Sequence, residues 1–470
     1  MKRPVFIGGL VGTLRDHAIA VRLRGRQLLT PALVGSRQWA DVSIMLGCAV
    51  VTGLVVVAFT LLAEAATAAH HKLATTLPWG PYAMLIWTPV LTVLVLAWTR
   101  RFAPGAQGSG IPQVVRALDE GLQAHQRRWL VSWSVSLNKV GLVSAGLLAG
   151  LSIGREGPTV QVAAGVMTQA RRWLSRSSGI DEHDLMVAGA AAGIAAAFNT
   201  PLGGIVFALE QLTRRRHMSH SALVITSIVA AGLVAVSVFG NATYFGRLRV
   251  QELEWALLAP GVVVALACGL VGGLFARLLI VSMQGLPDRF SRWRQRFPLR
   301  FAAACAFAVA MIGLVTDGAT AGAGYATTRA LLEGDADPSG LYTLLKFVAT
   351  WLSAWTGVPA GVFAPSLAIG AGIGHDVASV WGLNREAAIP LIALGMAGFL
   401  AASTQGPITA FIIVMEMVSG HAMVLSLMAC TLLASGVSRL ITRPLYPELA
   451  AGLGLPPRRE QGVAPASPSP

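Results

Sequence analysis

Apolar runs long enough to cross a lipid bilayer recur along this chain, and they constrain its fold more tightly than any other feature. They include Ser43 to Leu62, Pro81 to Thr99, Leu223 to Phe239, Trp255 to Met283 and Ile408 to Gly436, with almost no charge inside them. A hydrocarbon layer about 30 Å thick takes roughly 20 helical residues to cross, so most of these runs are predicted spans. Inside that layer the backbone must satisfy its own hydrogen bonds, which leaves helices and closed barrels. A barrel would alternate polarity in short segments, and unbroken stretches of Ala, Leu, Val and Gly exclude it. Composition agrees: 54% of the 470 residues are hydrophobic and 12% charged, roughly half the charged share of a soluble domain. The expected fold class is an all-α polytopic membrane protein.

A net charge of +14 could suggest nucleic acid, but the basic residues sit in short clusters between the apolar runs: Arg22, Arg24 and Arg26; Arg100 and Arg101; Arg214 to Arg216; Arg289 to Arg296. That distribution is a topology signal, with basic loops on the cytoplasmic side. Lys2, Arg3, Arg15, Arg22, Arg24, Arg26 and Arg37 precede the first span, so residues 1–40 are read as a cytoplasmic basic segment without a cleavable signal peptide. Residues 41–240 and 241–450 form two membrane halves. Residues 451–470, rich in Pro, Ala and Ser, are expected to be a disordered tail, with both termini cytoplasmic. Cys48, Cys268, Cys305 and Cys430 are scattered through apolar stretches, where a thiol behaves as a small hydrophobe. No metal, cofactor or disulfide is expected.

The two halves share a plan. GREGPTVQVAAG at Gly154 to Gly165 aligns with GVFAPSLAIGAG at Gly361 to Gly372, pairing Gly154 with Gly361, Pro158 with Pro365 and Gly165 with Gly372. Gly189 to Leu212 aligns without gaps to Gly395 to Val418, pairing Pro201 with Pro407 and Glu210 with Glu416. A weaker third match sets GSGIPQVVRAL from Gly108 against GAGYATTRALL from Gly322. Same order, with an offset of about 207 residues in the first two pairs and near-constant spacing overall, is the signature of an internal duplication. An odd number of spans per half would invert one half and bring equivalent broken helices face to face near the midplane.

Glycine and proline inside apolar runs break helices, and broken backbone at membrane depth survives only where protein buries it or it lines a cavity. GSGIP, GREGP and GVFAP are therefore candidate linings. Each puts Pro early in a predicted helix, where its missing N–H costs nothing. Each also leaves first-turn N–H groups facing outward with partial positive charge, which suits an anion that must leave again. Close helix packing alone would also enrich small residues, but three such motifs, two related by the repeat, favour the lining.

At these residues the chain resembles the CLC family of chloride channels and chloride–proton antiporters: GSGIP at Gly108 to Pro112, GREGP at Gly154 to Pro158, GVFAP at Gly361 to Pro365, and AAAFNTPLGGIVFALE at Ala195 to Glu210. The likeness runs from about Asp41 to Leu449. It implies two inverted repeats of tilted, partly broken helices, and a homodimer with one pore per subunit in the prokaryotic inner membrane. It also implies transport of chloride, with other halides or nitrate permeating to some degree. By motif, Ser109 and Tyr446 would offer hydroxyls to a central anion, and Val362 and Phe363 backbone N–H groups; Gly110, Ile111 and Gly157 belong to the same anion-binding set. Without the resemblance, Ser109 would be a helix N-cap and Tyr446 an interfacial anchor.

Glu156 is a carboxylate in an apolar, glycine-flanked stretch, costly to hold charged and so functional by default. The resemblance makes it the gate: deprotonated it takes an anion position, protonated it swings away and carries a proton. Arg155 would favour the outer anion, unless it snorkels to the interface. Lys139 is expected to be buried and paired, adding positive potential without touching the ion. One departure matters. Many coupled members carry two adjacent glutamates where this chain has Glu210 and Gln211, and glutamine does not titrate. Glu210, or water reaching Glu156, would then supply the inner proton route. Passive chloride conduction is the rival reading. A cation pathway would need more intramembrane acids than Glu156, Glu210 and Glu416, and a membrane hydrolase would need a GxSxG or HExxH motif that the sequence lacks. The chain is not expected to be an enzyme.

Overall fold

The structure is a computed structural model that describes residues 8–76, 78–175, 178–212, 221–240, 245, 255–335 and 340–457, residues 8–38 and 221 by backbone alone. Among the described residues, seven helices are long and apolar enough to cross a membrane, including Trp39–Thr76, Gly80–Phe102, Trp255–Gln284 and Pro298–Val315. Residues 8–40 of the basic segment and the first span belong to one unbroken helix, Gly8–Thr76. The run from Ile408 to Gly436 is divided: the helix Pro407–Met417 ends, Ser419 turns at φ 51°, and a new helix starts at Val424. Hydropathy sees the run as continuous because the break is made by backbone conformation, not by charge.

The duplication is visible as two inverted halves, and the inversion shows most directly at Gly154 and Gly361. These repeat mates exchange both backbone hydrogen bonds in an isolated antiparallel bridge, at 2.7 and 3.1 Å. An antiparallel pair has a local two-fold axis between its members. Equivalent residues joined this way straddle the axis that relates the halves. Packing around it is matched: a Cβ on Gly165 would meet Ser136 Oγ, and one on Gly372 would meet Thr343 Oγ1. The buried helices Glu182–Phe198 and Arg385–Thr404 both end in a left-handed residue, Asn199 and Gln405, before the helices that begin at Pro201 and Pro407.

Small residues let these central helices approach closely, as membrane packing requires where lipid supplies no hydrophobic drive. A Cβ on Gly395 would lie 2.1 Å from Gly370 O, and the Arg385–Thr404 span is 89% buried, so protein surrounds it rather than lipid. Toward the carboxyl end, Gly452 to Pro457 lie within the stretch read as tail, yet Gln126 Nε2 donates to Pro456 O at 2.9 Å. The rest of the expected tail, 458–470, and the Arg214 to Arg216 cluster lie outside the described residues.

Candidate anion pathway

The three motifs meet. Gly110 takes φ 107° to start the helix Ile111–Ala117, and a Cβ there would lie 2.6 Å from Gly157 O. A Cβ on Gly157 would in turn lie 2.6 Å from Ser109 Oγ. The GSGIP turn is thus pressed against the start of the helix Glu156–Met167. Ala360 N donates to Gly108 O at 3.2 Å, tying the same turn to the segment that leads into the helix Phe363–Val380.

Ser109 Oγ and Tyr446 Oη are buried, neither has a hydrogen-bond partner among the described residues, and both line one cavity of ≈ 190 Å³ with Pro112, Ala360 and Val362. The N-cap of the Ile111–Ala117 helix is Gly110, so Ser109 does not serve as the cap. Tyr446 is 1% exposed, which rules out an interfacial anchor. Val362 is the N-cap of an 18-residue helix, so its N–H and that of Phe363 are among the first-turn donors that no intrahelical carbonyl can reach. Two hydroxyl donors and a helix start facing one space suit a ligand that only accepts hydrogen bonds. Gly110 has its N–H taken, donating to Gln113 Oε1 at 2.8 Å, and the Ile111 side chain is buried in the core. Gln113 reaches back because it sits at the third helical position, the geometry of a capping box.

Glu156 is fully buried at the start of its helix and close to the first-turn amide of Ala364 in the facing repeat. Its Oε1 accepts the Tyr325 hydroxyl and lies 3.8 Å from Arg155 Nε, while Oε2 meets the geometric criteria for a hydrogen bond with none of the described residues. Gly154 makes room for it, since a Cβ there would sit 2.5 Å from Oε2. Arg155 does not snorkel: it is 3% exposed, donates to Glu64 Oε1 at 3.0 Å and Thr60 O at 3.2 Å, and lies over the Tyr325 ring. The carboxylate therefore occupies a place built from two helix starts, a guanidinium and a phenol, all of which favour negative charge.

Glu210 lies elsewhere. Its two oxygens accept the amides of Ile408 at 3.1 Å and Thr409 at 2.7 Å, the first turn of the helix Pro407–Met417. Its repeat mate Glu416 accepts from Leu202 at 3.3 Å and Gly203 at 2.8 Å, the first turn of the helix Pro201–Phe207. Each half thus caps the other with a carboxylate. The symmetry breaks at Ala208–Leu212, where the chain widens into a π-helical turn carrying Glu210 and Gln211, the latter against Gly406.

Lys139 is buried as expected, but its partners are carbonyls, Ala106 O at 2.7 Å and Gly108 O at 2.6 Å. Lys346 does the same with Thr320 O at 2.9 Å and Gly322 O at 2.8 Å. Sequence reasoning missed Lys346, although extending the repeat alignment from Lys139 leads to it. It also missed Tyr325, whose signal was the weak third repeat match that sets it against Ile111. Glu64 carried no local signal, since only the fold brings it to Arg155.

Two inverted halves that aim broken helix starts and orphan hydroxyls into a shared interior cavity define a membrane transport protein. The voltage-gated chloride channel family matches residues 91–439, and the chain belongs to that family. It is 30% identical over 458 residues to the H(+)/Cl(-) exchange transporter ClcA of Citrobacter koseri, covering 92% of both chains. The Cronobacter sakazakii transporter of the same description is 30% identical over 395 residues, covering 80% of this chain and 81% of the relative. Among solved structures, a slow cyanobacterial Cl-/H+ antiporter superposes with a TM-score of 0.73 at 22% identity, covering 88% of this chain and 97% of that one. A CLC-type fluoride/proton antiporter gives 0.70 at 22% identity, over 87% and 97%. At that identity the structural likeness speaks for the fold alone.

Proposed function

We propose that the protein exchanges chloride for protons across a prokaryotic inner membrane, with Glu156 as the gate shared by both ions. The observation that carries this reading is the pair of buried, partnerless hydroxyls of Ser109 and Tyr446 on one cavity, together with a buried carboxylate seated where an anion would be favoured. Exchange by the named relatives supports it. In the seated state Glu156 holds the outer anion position, receiving the Tyr325 hydroxyl. Protonation removes its charge and its claim on the helix starts, so chloride can replace it while the proton travels with the side chain. Arg155, braced by Glu64, keeps that position positive when the carboxyl leaves. Other halides and nitrate follow the same path to the extent that they fit it.

Glu210 is proposed as a helix cap rather than an inner proton relay, because both of its oxygens already receive amide N–H groups. With Gln211 unable to titrate, the inner proton reaches Glu156 through water. The same two residues favour one alternative, passive chloride conduction. Reconstituted protein under a chloride gradient separates the two: exchange requires a zero-current potential that moves when a pH gradient is added, and a potential indifferent to pH leaves conduction alone. Under exchange, Glu156→Gln stops proton movement with chloride flux persisting, whereas Glu210→Gln keeps both. Proton movement through Glu156→Gln would remove that residue from the mechanism. The functional unit is proposed to be a homodimer with both termini in the cytoplasm.

A further inference from the structure

The spans Trp255–Gln284 and Pro298–Val315 are joined by a short basic helix, Arg289–Arg296, that no step of the proposed transport uses. Asp288 caps it, its carboxylate accepting the Ser291 N–H at 2.6 Å, and Phe297 closes it. With one span ending at Gln284 and the next beginning at Pro298, the helix lies where hydrocarbon gives way to headgroups.

Its sequence holds two stripes. Arg289, Arg292 and Arg296 stand at i, i+3 and i+7, and Phe290, Trp293 and Phe297 repeat that spacing one residue on, along the adjoining face. The structure fixes the roll of the helix. Ser291 and Arg294 turn inward: Leu286 N donates to Ser291 Oγ at 3.2 Å, while Arg294 donates to Ser282 O at 2.6 Å and lines the cavity of Ser109. Both stripes are left exposed on the outer side. The guanidinium of Arg289 lies 5.1 Å from the Phe290 ring centre, and those of Arg296 and Arg300 lie 5.4 and 5.1 Å from that of Phe297. Arg100 and Arg101 end the neighbouring Gly80–Phe102 span, Arg100 within electrostatic reach of Arg294, and extend the basic surface.

This charge is not balanced from within. Asp288 is the one acid between Gln284 and Arg300, and its carboxylate is the helix cap. Among the described residues none of these arginines pairs with a carboxylate, and Arg292 donates to a carbonyl, Asp288 O, at 3.3 Å. Topology asks only for basic residues in a loop, in any arrangement. It explains neither the helical spacing nor the aromatic stripe beside it.

We infer that the arginine stripe is a docking site for the phosphodiester headgroups of anionic phospholipid in the cytoplasmic leaflet, with the aromatic stripe seated at the acyl boundary beside it. A guanidinium presents a rigid fork of donors that fits two oxygens of a phosphate and keeps its charge at any physiological pH. An acidic protein would meet the arginines as well, but the adjoining rings and the depth fixed by two span ends favour lipid. The inference does not depend on which ions the pathway carries.

The test titrates delipidated full-length protein in neutral detergent with phosphatidylglycerol or phosphatidylcholine, counting bound lipid by native mass spectrometry. The unaltered protein is expected to prefer phosphatidylglycerol. Joint replacement by Arg289→Gln, Arg292→Gln and Arg296→Gln weakens that binding about a hundredfold, about fivefold for each charge removed, and leaves phosphatidylcholine unchanged. Lysine at the same three positions keeps most of it. Arg171→Gln with Arg172→Gln, exposed basic residues on a different element, changes it less than about twofold. No headgroup preference in the unaltered protein overturns the inference without any variant. An equal loss in the Arg171 and Arg172 pair does so too, because it leaves only diffuse attraction. Retention of poly-glutamate but not of phosphatidylglycerol would give the surface to an acidic protein partner instead.

Discussion

In the proposed mechanism a single phenol helps set how firmly Glu156 is seated. Tyr325 donates to Glu156 Oε1 from the first residue of a helix in the other half of the molecule, and a hydrogen bond to a charged acceptor contributes about 1.5–3 kcal/mol. Tyr325→Phe keeps the ring that Arg155 and Phe245 pack against and removes only that bond. Chloride should then displace the carboxylate about tenfold more readily, the low end of that range. The measurement is the half-saturating chloride for binding to purified protein by titration calorimetry, and an unchanged value would dismiss the phenol as a gate partner. The residue scale is also where sequence reading was least complete. Ser109, Glu156 and Tyr446 announce themselves by motif, but Gly110, a member of the expected anion-binding set, has its amide taken by Gln113. Local chemistry can specify a donor without specifying which acceptor reaches it first.

At the scale of elements, pairs of helices are held by glycine where two backbones touch. Gly395→Ala would put a methyl group 2.1 Å from Gly370 O, and the helices would have to separate, at about 3 kcal/mol. Gly313→Ala is the matched control: also within an apolar helix, with nothing within 4 Å of the added methyl. Thermal unfolding in detergent should show a clear loss for the first and none for the second; equal midpoints would mean that the central helices do not depend on this contact. The crossed caps of Glu210 and Glu416 belong to the same scale. Sequence alignment paired these two acids, but it could not show that each caps the helix of the opposite half. That exchange follows from inversion, which turns equivalent helix starts toward one another.

For the molecule as a whole, one chain supplies Ser109, Glu156, Tyr325, Val362 and Tyr446 to its own pathway. In the proposed homodimer the two subunits should therefore work independently. A tandem of one unaltered and one Glu156→Gln copy is expected to move protons at about half the rate of the unaltered tandem, as independent sites add. Loss of all proton movement would place part of the site across the subunits. What the sequence determined by itself were most of the spans, the duplication and the three broken-helix motifs, because each is written in a local pattern: apolar length, a repeated offset, glycine and proline at helix starts. Only the tertiary structure decided that Tyr325 reaches Glu156 across 169 positions of chain, that Glu64 braces Arg155, and that Arg294 opens onto the cavity of Ser109. Proximity of that kind arises when two inverted halves close on a shared axis, and no stretch of either half contains it.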